Sequence, residues 1–516
     1  MPIKNLLIAN RGEIAIRIAR SAAEAAIRSH SIYSEDDVDA DHTNKSDEAH
    51  GLTGTGPAAY LDGSQVIRIA RDAGCDAIHP GYGFLSENAN FARSCEKAGL
   101  IFVGPTPNVL DRFGDKGAAR RLAVECDVPV LPGTDSATSL EDARRFMLSL
   151  GGHGAVMIKA VSGGGGRGMR PVLNEEDLEA AYERCCSEAM QAFGNGDVYV
   201  EQLFRKARHI EVQVLGDGSG EVVHLWEREC SMQRNRQKLI EVAPAPGLSA
   251  ALREQLIDAA RRMAMAAKLR NLATFEFLVE AKAADQSSFA FIEANARLQV
   301  EHTVTEEVTG IDLVRAQLDI AGGATLKDAG LTAAQITPPR GIAMQMRVNA
   351  ETMSADGIVR PASGLLRVFD PPTGRGVRVD TCGHSGFRPN PRFDSLLAKV
   401  IVHVTADDLS TVTSKARRAL AEFRIEGLST NREFLLNVLA SPGFVDGNWH
   451  TGFIEENLVS LCEPGEHARM YADSAPANAG ASPQSASVDP LAILDHGRRA
   501  AAAESLPDET PLAEGL

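Results

Sequence analysis

Between Phe291 and His302, polar and apolar residues alternate with a period of two. Glu293, Asn295, Arg297, Gln299 and Glu301 fall on one side; Ile292, Ala294, Ala296, Leu298 and Val300 fall on the other. That is the pattern of a strand with two unlike faces. A row of Glu, Asn, Arg, Gln and Glu is costly to bury unless ligands satisfy it. The row does not require one unbroken strand as far as Glu301.

Elsewhere the pattern predicts alternating elements. The apolar run over residues 3–10 reads as a parallel strand, and 11–27 carries Ile14, Ile18 and Ala22 at helical spacing. Strand-like Ser31–Ser34, an acidic stretch at 35–48, a helix near 63–73 and a strand at Cys75–His79 follow. This predicts a small doubly wound α/β unit ending near 115. Within a second compact segment, 131–205, residues 155–160 read as a strand and 162–169 as a glycine-rich loop. Val172 opens a return strand, 175–193 is a helix and 198–203 another strand. Strand and helix alternate over 206–320, and a further unit, 321–458, is punctuated by turns at Pro361, Gly364, Pro371-Pro372 and Gly376. The remainder, 459–516, is a tail or linker. Its residues 472–488 are rich in Ala, Ser and Pro and predict disorder, while 490–494 fit a brief helix or a linker remnant.

Length adds that 516 residues need about two to four domains. A net charge of −16 argues against nucleic acid or an anionic membrane as the main partner. No apolar run approaches the roughly 18 residues of a membrane span, and the N-terminal run is too short for a signal sequence. Eight cysteines are scattered without a CxxC, so neither zinc nor a disulfide framework is expected, and a cytoplasmic location is the expectation.

Several side chains then stand out for chemistry. Glu276 lies in strand-like Thr274–Phe277; with Glu293 and Asn295 it offers oxygen donors of the kind Mg²⁺ shares with phosphates. Four consecutive glycines, Gly163–Gly166, between strands permit close backbone approach to an anion and suit a lid. Lys116 and Lys159 are candidate phosphate cations. Residues 227–238 gather Arg228, Arg234, Arg236 and Lys238 as either a solvated face or an anion pocket, and Arg347 is a charge in an apolar run. The turn-rich His79–Asn88 follows a strand, where ligands collect in open α/β sheets. Both GxGxxG and the P-loop spacing are missing, which points to another class of nucleotide site.

Together, Ile8–Ala15, His79–Asn88, Gly163–Met169, Glu229–Lys238, Thr274–Phe277, Glu293–His302 and Arg347–Glu351 resemble the biotin carboxylase component of biotin-dependent carboxylases, within the ATP-grasp superfamily. The resemblance covers about 1–458. Glu301–Glu306 and the tail look most like acyl-CoA carboxylases. The fold implied is an N-terminal α/β domain (1–115), an ATP-grasp domain (116–320) with its lid at 131–205, and a C-terminal domain (321–458). The activity implied is carboxylation of biotin by ATP and bicarbonate through carboxyphosphate; the alternative is a non-catalytic nucleotide-binding scaffold.

The resemblance also implies roles. Lys116, Lys159 and the loop with Gly164, Gly165 and Gly166 hold ATP phosphates. Met169, Glu201, Phe204, His209, Gln233 and Leu278 complete the nucleotide site. Glu276, Glu293 and Asn295 bind Mg²⁺ or Mn²⁺. Arg297, Gln299, the Val300 backbone and Lys238 hold bicarbonate, Glu301 is the base, Arg347 steadies the biotin enolate and Tyr82 lies beside the biotin ring. Expected partners are a separate biotin carboxyl carrier and a carboxyltransferase, since no Ala-Met-Lys-Met sequence is present, and a homodimer or larger complex. Gln202, Asn235 and Arg236 depart from the family pattern, and Ser29-His30-Ser31-Ile32 is unusually polar for a core strand.

Overall fold

Leu6, Leu7 and Ile8 are fully buried, as befits a strand covered on both faces. They form β1 (Asn5–Ile8), the centre of a five-stranded parallel sheet with β2 (Arg28–Tyr33), β3 (Glu48–Gly51), β4 (Ala77–His79) and β5 (Ile101–Phe102) in the order β3-β2-β1-β4-β5. The helix predicted over 11–27 is Gly12–Glu24, and Ile14, Ile18 and Ala22 are buried. The computed structural model describes residues 2–471 apart from 135, 152–153, 162–167, 205, 281–288, 355–356, 466 and 468, and apart from the side chain at 193. The glycines Gly163–Gly166, including the proposed Gly164, Gly165 and Gly166, and the tail segments at 472–488 and 490–494 lie outside the described residues.

A three-stranded antiparallel sheet follows: β6 (Val156–Ala160), β7 (Met169–Val172) and β8 (Val198–Gln202), ordered β7-β6-β8. Val156, Ile158, Val172 and Val200 pack with Leu178 and Cys185 of the helix Leu178–Phe193. Val172 closes the return strand rather than opening it, because Met169 already pairs with Lys159. The helix starts at Leu178; residues 175–177 form a 3-10 turn.

The largest sheet has eight antiparallel strands. Its members include β9 (Ala207–Asp217), β10 (Val222–Arg234), β11 (Gln237–Ala243), β12 (Arg270–Glu280), β13 (Phe289–Asn295) and β14 (Ile342–Asn349). Small ladders pair β15 (Glu351–Met353) with β16 (Val359–Pro361), and β17 (Val368–Asp370) with β20 (Arg424–Glu426). β18 (Val377–Thr381) and β19 (Leu396–Val404) complete the order β13-β12-β9-β10-β11-β14-β19-β18. On one face Ile210, Val212, Val214, Phe275 and Phe277 pack with Leu256, Ala260 and Met263 of the helix Ala250–Ala266. Period-two alternation sends Glu211, Gln213, Thr274 and Glu276 to the other face. The polar row at 293–301 is not one strand. β13 stops at Asn295, residues 296–301 turn, and the helix His302–Thr309 begins.

Candidate active site

The polar face of the large sheet gathers carboxylates and cations around Glu276. Register sets Glu276 beside Glu293 on β13 and Glu211 on β9, and Thr274 beside Asn295. Glu276 Oε1 accepts from Asn295 Nδ2 and Gln299 Nε2, each at 2.7 Å, and its Oε2 lies 2.7 Å from His209 Nε2. Burial would raise the Glu276 carboxyl; Lys238 and His209 outweigh it and hold the group well below the usual carboxylate range. Asn295 and Gln299 therefore reach the same carboxylate although the strand has ended between them.

Lys238 leaves β11 toward three acids. Its Nζ pairs with Glu211, lies 2.7 Å from Glu301 Oε1 and 3.4 Å from Glu276 Oε1. Burial lowers its pKa, but Glu276 and Glu301 more than restore it, so the ammonium persists. Glu301, the residue just before the helix His302–Thr309, is 2 % exposed. Its Oε2 accepts from Arg347 Nη2 at 3.1 Å, and Arg347 Nε donates to Glu241 Oε1 at 2.6 Å. Against the upward push of burial, Lys238 and then Arg347 hold the Glu301 carboxyl below its ordinary value. Glu241 behaves oppositely: burial pushes it up, and Arg347 does not fully offset this.

Arg297 turns back over the site. Its Nη2 donates to Asn295 Oδ1 at 2.9 Å, and its Nε lies 2.9 Å from Glu87 of the His79–Asn88 turn. Lys399 Nζ, fully buried on β19, donates to the Val300 carbonyl at 3.2 Å and lies 2.9 Å from Glu13 Oε2. Tyr82 donates its hydroxyl to the same Glu13. The remaining candidates border this face. Lys116 pairs with Glu293 at 3.4 Å. Lys159 pairs with Glu201, and Met169 pairs with Lys159 across the ladder. Gln233 Nε2 and His209 Nδ1 are 2.8 Å apart, and Leu278 lies opposite His209 in register. Phe204 is half-buried just after β8.

The basic segment 227–238 is neither a solvated face nor one anion pocket. Arg228 is enclosed and donates to Glu211, Gln213, Thr274, Gln299 and Thr305. Arg234 pairs with Glu351, and Arg236 packs on Met157. Arg228 and Lys238 reach the acidic cluster, both through Glu211, whereas Arg234 and Arg236 point elsewhere. The reason is local: register shifts in β10 between Glu229 and Met232, and again before Gln233, break the alternation. A two-residue turn then follows, with Asn235 and Arg236 both at positive φ. Glu211, Glu241, Glu13, Glu87 and Lys399 were missed as partners. The signals were present: alternating His209, Glu211 and Gln213, and a lone lysine in Leu397-Ala398-Lys399-Val400.

Carboxylates thus line one face of the large sheet, where Lys116 pairs with Glu293, and Lys159 pairs with Glu201 within the small three-stranded sheet. Residues 2–110 match the family model "Biotin carboxylase, N-terminal domain", 115–329 "Carbamoyl-phosphate synthase L chain, ATP binding domain" and 345–456 "Biotin carboxylase C-terminal domain". The biotin carboxylase domain dimer of Hydrogenobacter thermophilus 2-oxoglutarate carboxylase, solved with MgADP, ADP and bicarbonate, is 37% identical. The match covers 90% of this chain and 99% of that one, with a TM-score of 0.84. A single-chain, multi-domain long-chain acyl-CoA carboxylase is 44% identical over 89% of this chain and 43% of its own, with a TM-score of 0.78. Human mitochondrial pyruvate carboxylase is 47% identical over 461 residues, 88% of this chain and 38% of that protein.

The chain belongs to the biotin carboxylase family of the ATP-grasp superfamily. Its architecture is multidomain α/β, with N-terminal and central ATP-grasp-like domains and a C-terminal biotin carboxylase domain. The family's chemistry is carboxylation of biotin by ATP and bicarbonate with Mg²⁺, shared by pyruvate and acyl-CoA carboxylases. The chain spans about two fifths of the length of the curated relatives it matches. The expected cytoplasmic location does not stand: the mouse, human and rat relatives are mitochondrial pyruvate carboxylases, and composition and cysteine usage do not separate the two compartments.

Proposed function

We propose that this chain performs the first half-reaction of a biotin-dependent carboxylase. ATP phosphorylates bicarbonate to carboxyphosphate, which yields CO₂ and phosphate beside the biotin ureido nitrogen. The observation that carries this is Glu301, fixed between Lys238 and Arg347 and one turn from Gln299 and Arg297. That grouping gives an anion the size of bicarbonate three cationic donors and a carboxylate within one buried site.

Bicarbonate is a poor electrophile, so it needs activation, and phosphoryl transfer depends on positioning and charge stabilisation. Lys116, Lys159 and the loop with Gly164, Gly165 and Gly166 would hold the phosphates. Met169, Glu201, Phe204, His209, Gln233 and Leu278 would form the nucleotide site. Glu276 and Glu293, side by side in register with Asn295 next along, present oxygen donors that fit Mg²⁺. The ion would supply charge neutralisation of the phosphates.

Arg297, Gln299, the Val300 backbone and Lys238 would hold bicarbonate. Glu301 is ionised here but weakly basic, because two cations stabilise it. An anion that draws Lys238 away would raise its basicity and let it take the bicarbonate proton. Arg347 would stabilise the oxyanion of the biotin enolate, and Tyr82 would border the ring. The proposed partition is 1–115, 116–320 with the lid at 131–205, 321–458, and 459–516 as tail.

Proposed partners are a biotin carrier, a carboxyltransferase and a second copy of this chain, as in the dimeric 2-oxoglutarate carboxylase domain. The acceptor is set by the transferase. Likeness to the long-chain enzyme supports an acyl-CoA, and the pyruvate carboxylases support pyruvate. ATP hydrolysis with and without bicarbonate, then with free biotin, tests the reading. Hydrolysis should require bicarbonate and rise with biotin; hydrolysis indifferent to bicarbonate would refute it.

A further inference from the structure

The polar stretch at residues 29–31 is left over from the catalytic account. It lies in β2, against the edge strand β3, and it is buried. Ser29 donates its N–H and hydroxyl to Asp47 Oδ2 at 2.8 and 2.9 Å, and Ser31 donates to the Glu48 carbonyl at 3.3 Å. His30 is the remaining case. Parallel pairing sets it opposite Glu48, with His50 two residues further along β3, so all three side chains share one face.

Their donor atoms converge. His30 Nδ1 lies 3.1 Å from His50 Nε2 and 3.7 Å from Glu48 Oε2, and His50 Nε2 lies 3.9 Å from that same oxygen. The point equidistant from the corners of this triangle is about 2.1 Å from each. That matches the roughly 2.0–2.2 Å bonds of Zn²⁺ to imidazole nitrogen and carboxylate oxygen. A hydrogen bond between the rings accounts for the first distance alone. Glu48 Oε2 is beyond hydrogen-bond reach of both rings yet lies within 4 Å of each.

The surroundings support ligation. Glu48 Oε1 accepts from Arg28 Nη2 at 2.5 Å, which orients the carboxylate and leaves Oε2 to the cluster. His30 Nε2 is buried with no hydrogen-bond partner among the described residues, so the ring makes its polar interaction through Nδ1.

We propose that His30, Glu48 and His50 bind a divalent transition ion of the Zn²⁺ type, which fastens the edge strand β3 to β2. Two imidazoles and one carboxylate favour such an ion over Mg²⁺ or Ca²⁺. Half-exposed His50 leaves the cluster open to solvent for a fourth, water ligand. The site shares no residue with the sheet that carries Glu276, so it stands or falls apart from the catalytic reading.

The test uses the whole chain without a histidine tag, stripped with chelator and titrated with Co²⁺, then Zn²⁺, in excess Mg²⁺. Wild type should take up one Co²⁺ with the intense visible absorption of a low-coordinate site, lose it to Zn²⁺, and melt higher with Zn²⁺ than in chelator. His50→Ala should abolish the absorption and the melting shift while melting like the wild type in chelator. Glu48→Gln should weaken binding by at least about tenfold. Equal uptake and equal spectra in wild type and His50→Ala would overturn the proposal. So would no uptake by wild type, which would leave the two rings as a hydrogen-bonded pair.

Discussion

Arg347 Nη2 lies 3.1 Å from Glu301 Oε2, while the other Glu301 oxygen lies 2.7 Å from Lys238. One carboxylate is thus clamped by two cations from different strands, and it remains ionised throughout the neutral range. Glu301→Gln keeps the size but removes the charge and one of the two acceptors. It should lower bicarbonate-dependent ATP turnover by about 10²–10³, the worth of one positioned acid–base group. Nucleotide affinity, read by titration with ADP, should change little; near-normal turnover would remove Glu301 from the mechanism.

Arg347 is placed to act later than the phosphoryl step. Arg347→Ala should cut carboxylation of free biotin far more than it weakens ATP binding. The comparison is carboxybiotin formation against the Kd for nucleotide. An equal loss in both would mean that Arg347 holds up the site generally, through Glu241 as well as Glu301.

Arg228 ties the floor of the site together. Arg228→Leu removes a fully buried guanidinium and leaves Glu211, Gln213 and Gln299 short of donors. Breaking a buried pair from one side costs about 3–5 kcal/mol. Urea unfolding should show a loss of that size, and a loss below about 1 kcal/mol would contradict the network.

The parts of the site that sequence made visible are those where local alternation survives folding. Glu276, Glu293 and Asn295 keep their parity in β12 and β13, because the one register shift between these strands falls just past them, between Glu276 and Phe277. Arg297, Gln299 and Glu301 were grouped with them for a reason that does not hold, since the chain has left the strand. They return to the cluster through the turn, as Gln299 does to Glu276. Arg228 could not be placed from parity, because a register shift between His224 and Glu227 interrupts β10 just before it. Nor could the pairing of Lys399 with Glu13 be read, since these residues are far apart in sequence and only the fold brings them together.

Stability should depend on pH through buried histidines. His79 is enclosed, and burial pushes its imidazole down to about 3. In the unfolded chain the value is about 6.5. Between those values the unfolded state binds a proton that the native state does not, so stability falls as pH drops from about 6.5 toward 3. The slope from His79 alone approaches about 1.4 kcal/mol per pH unit. His302, held well below its ordinary value by burial and then by Lys399, adds the same sign. Urea midpoints should therefore fall between pH 7 and 5. His79→Asn retains an acceptor for the Gly81 N–H and should flatten that slope; an unchanged slope would exclude His79 as a source.

In the proposed reaction, a bicarbonate oxygen attacks the terminal phosphorus of ATP within the cluster around Glu276, Lys238 and Glu301. Turnover with ¹⁸O-labelled bicarbonate, followed by mass analysis of the released phosphate, tests this most directly. One labelled oxygen should pass from bicarbonate into each phosphate formed. Phosphate that takes its new oxygen from water alone would contradict it.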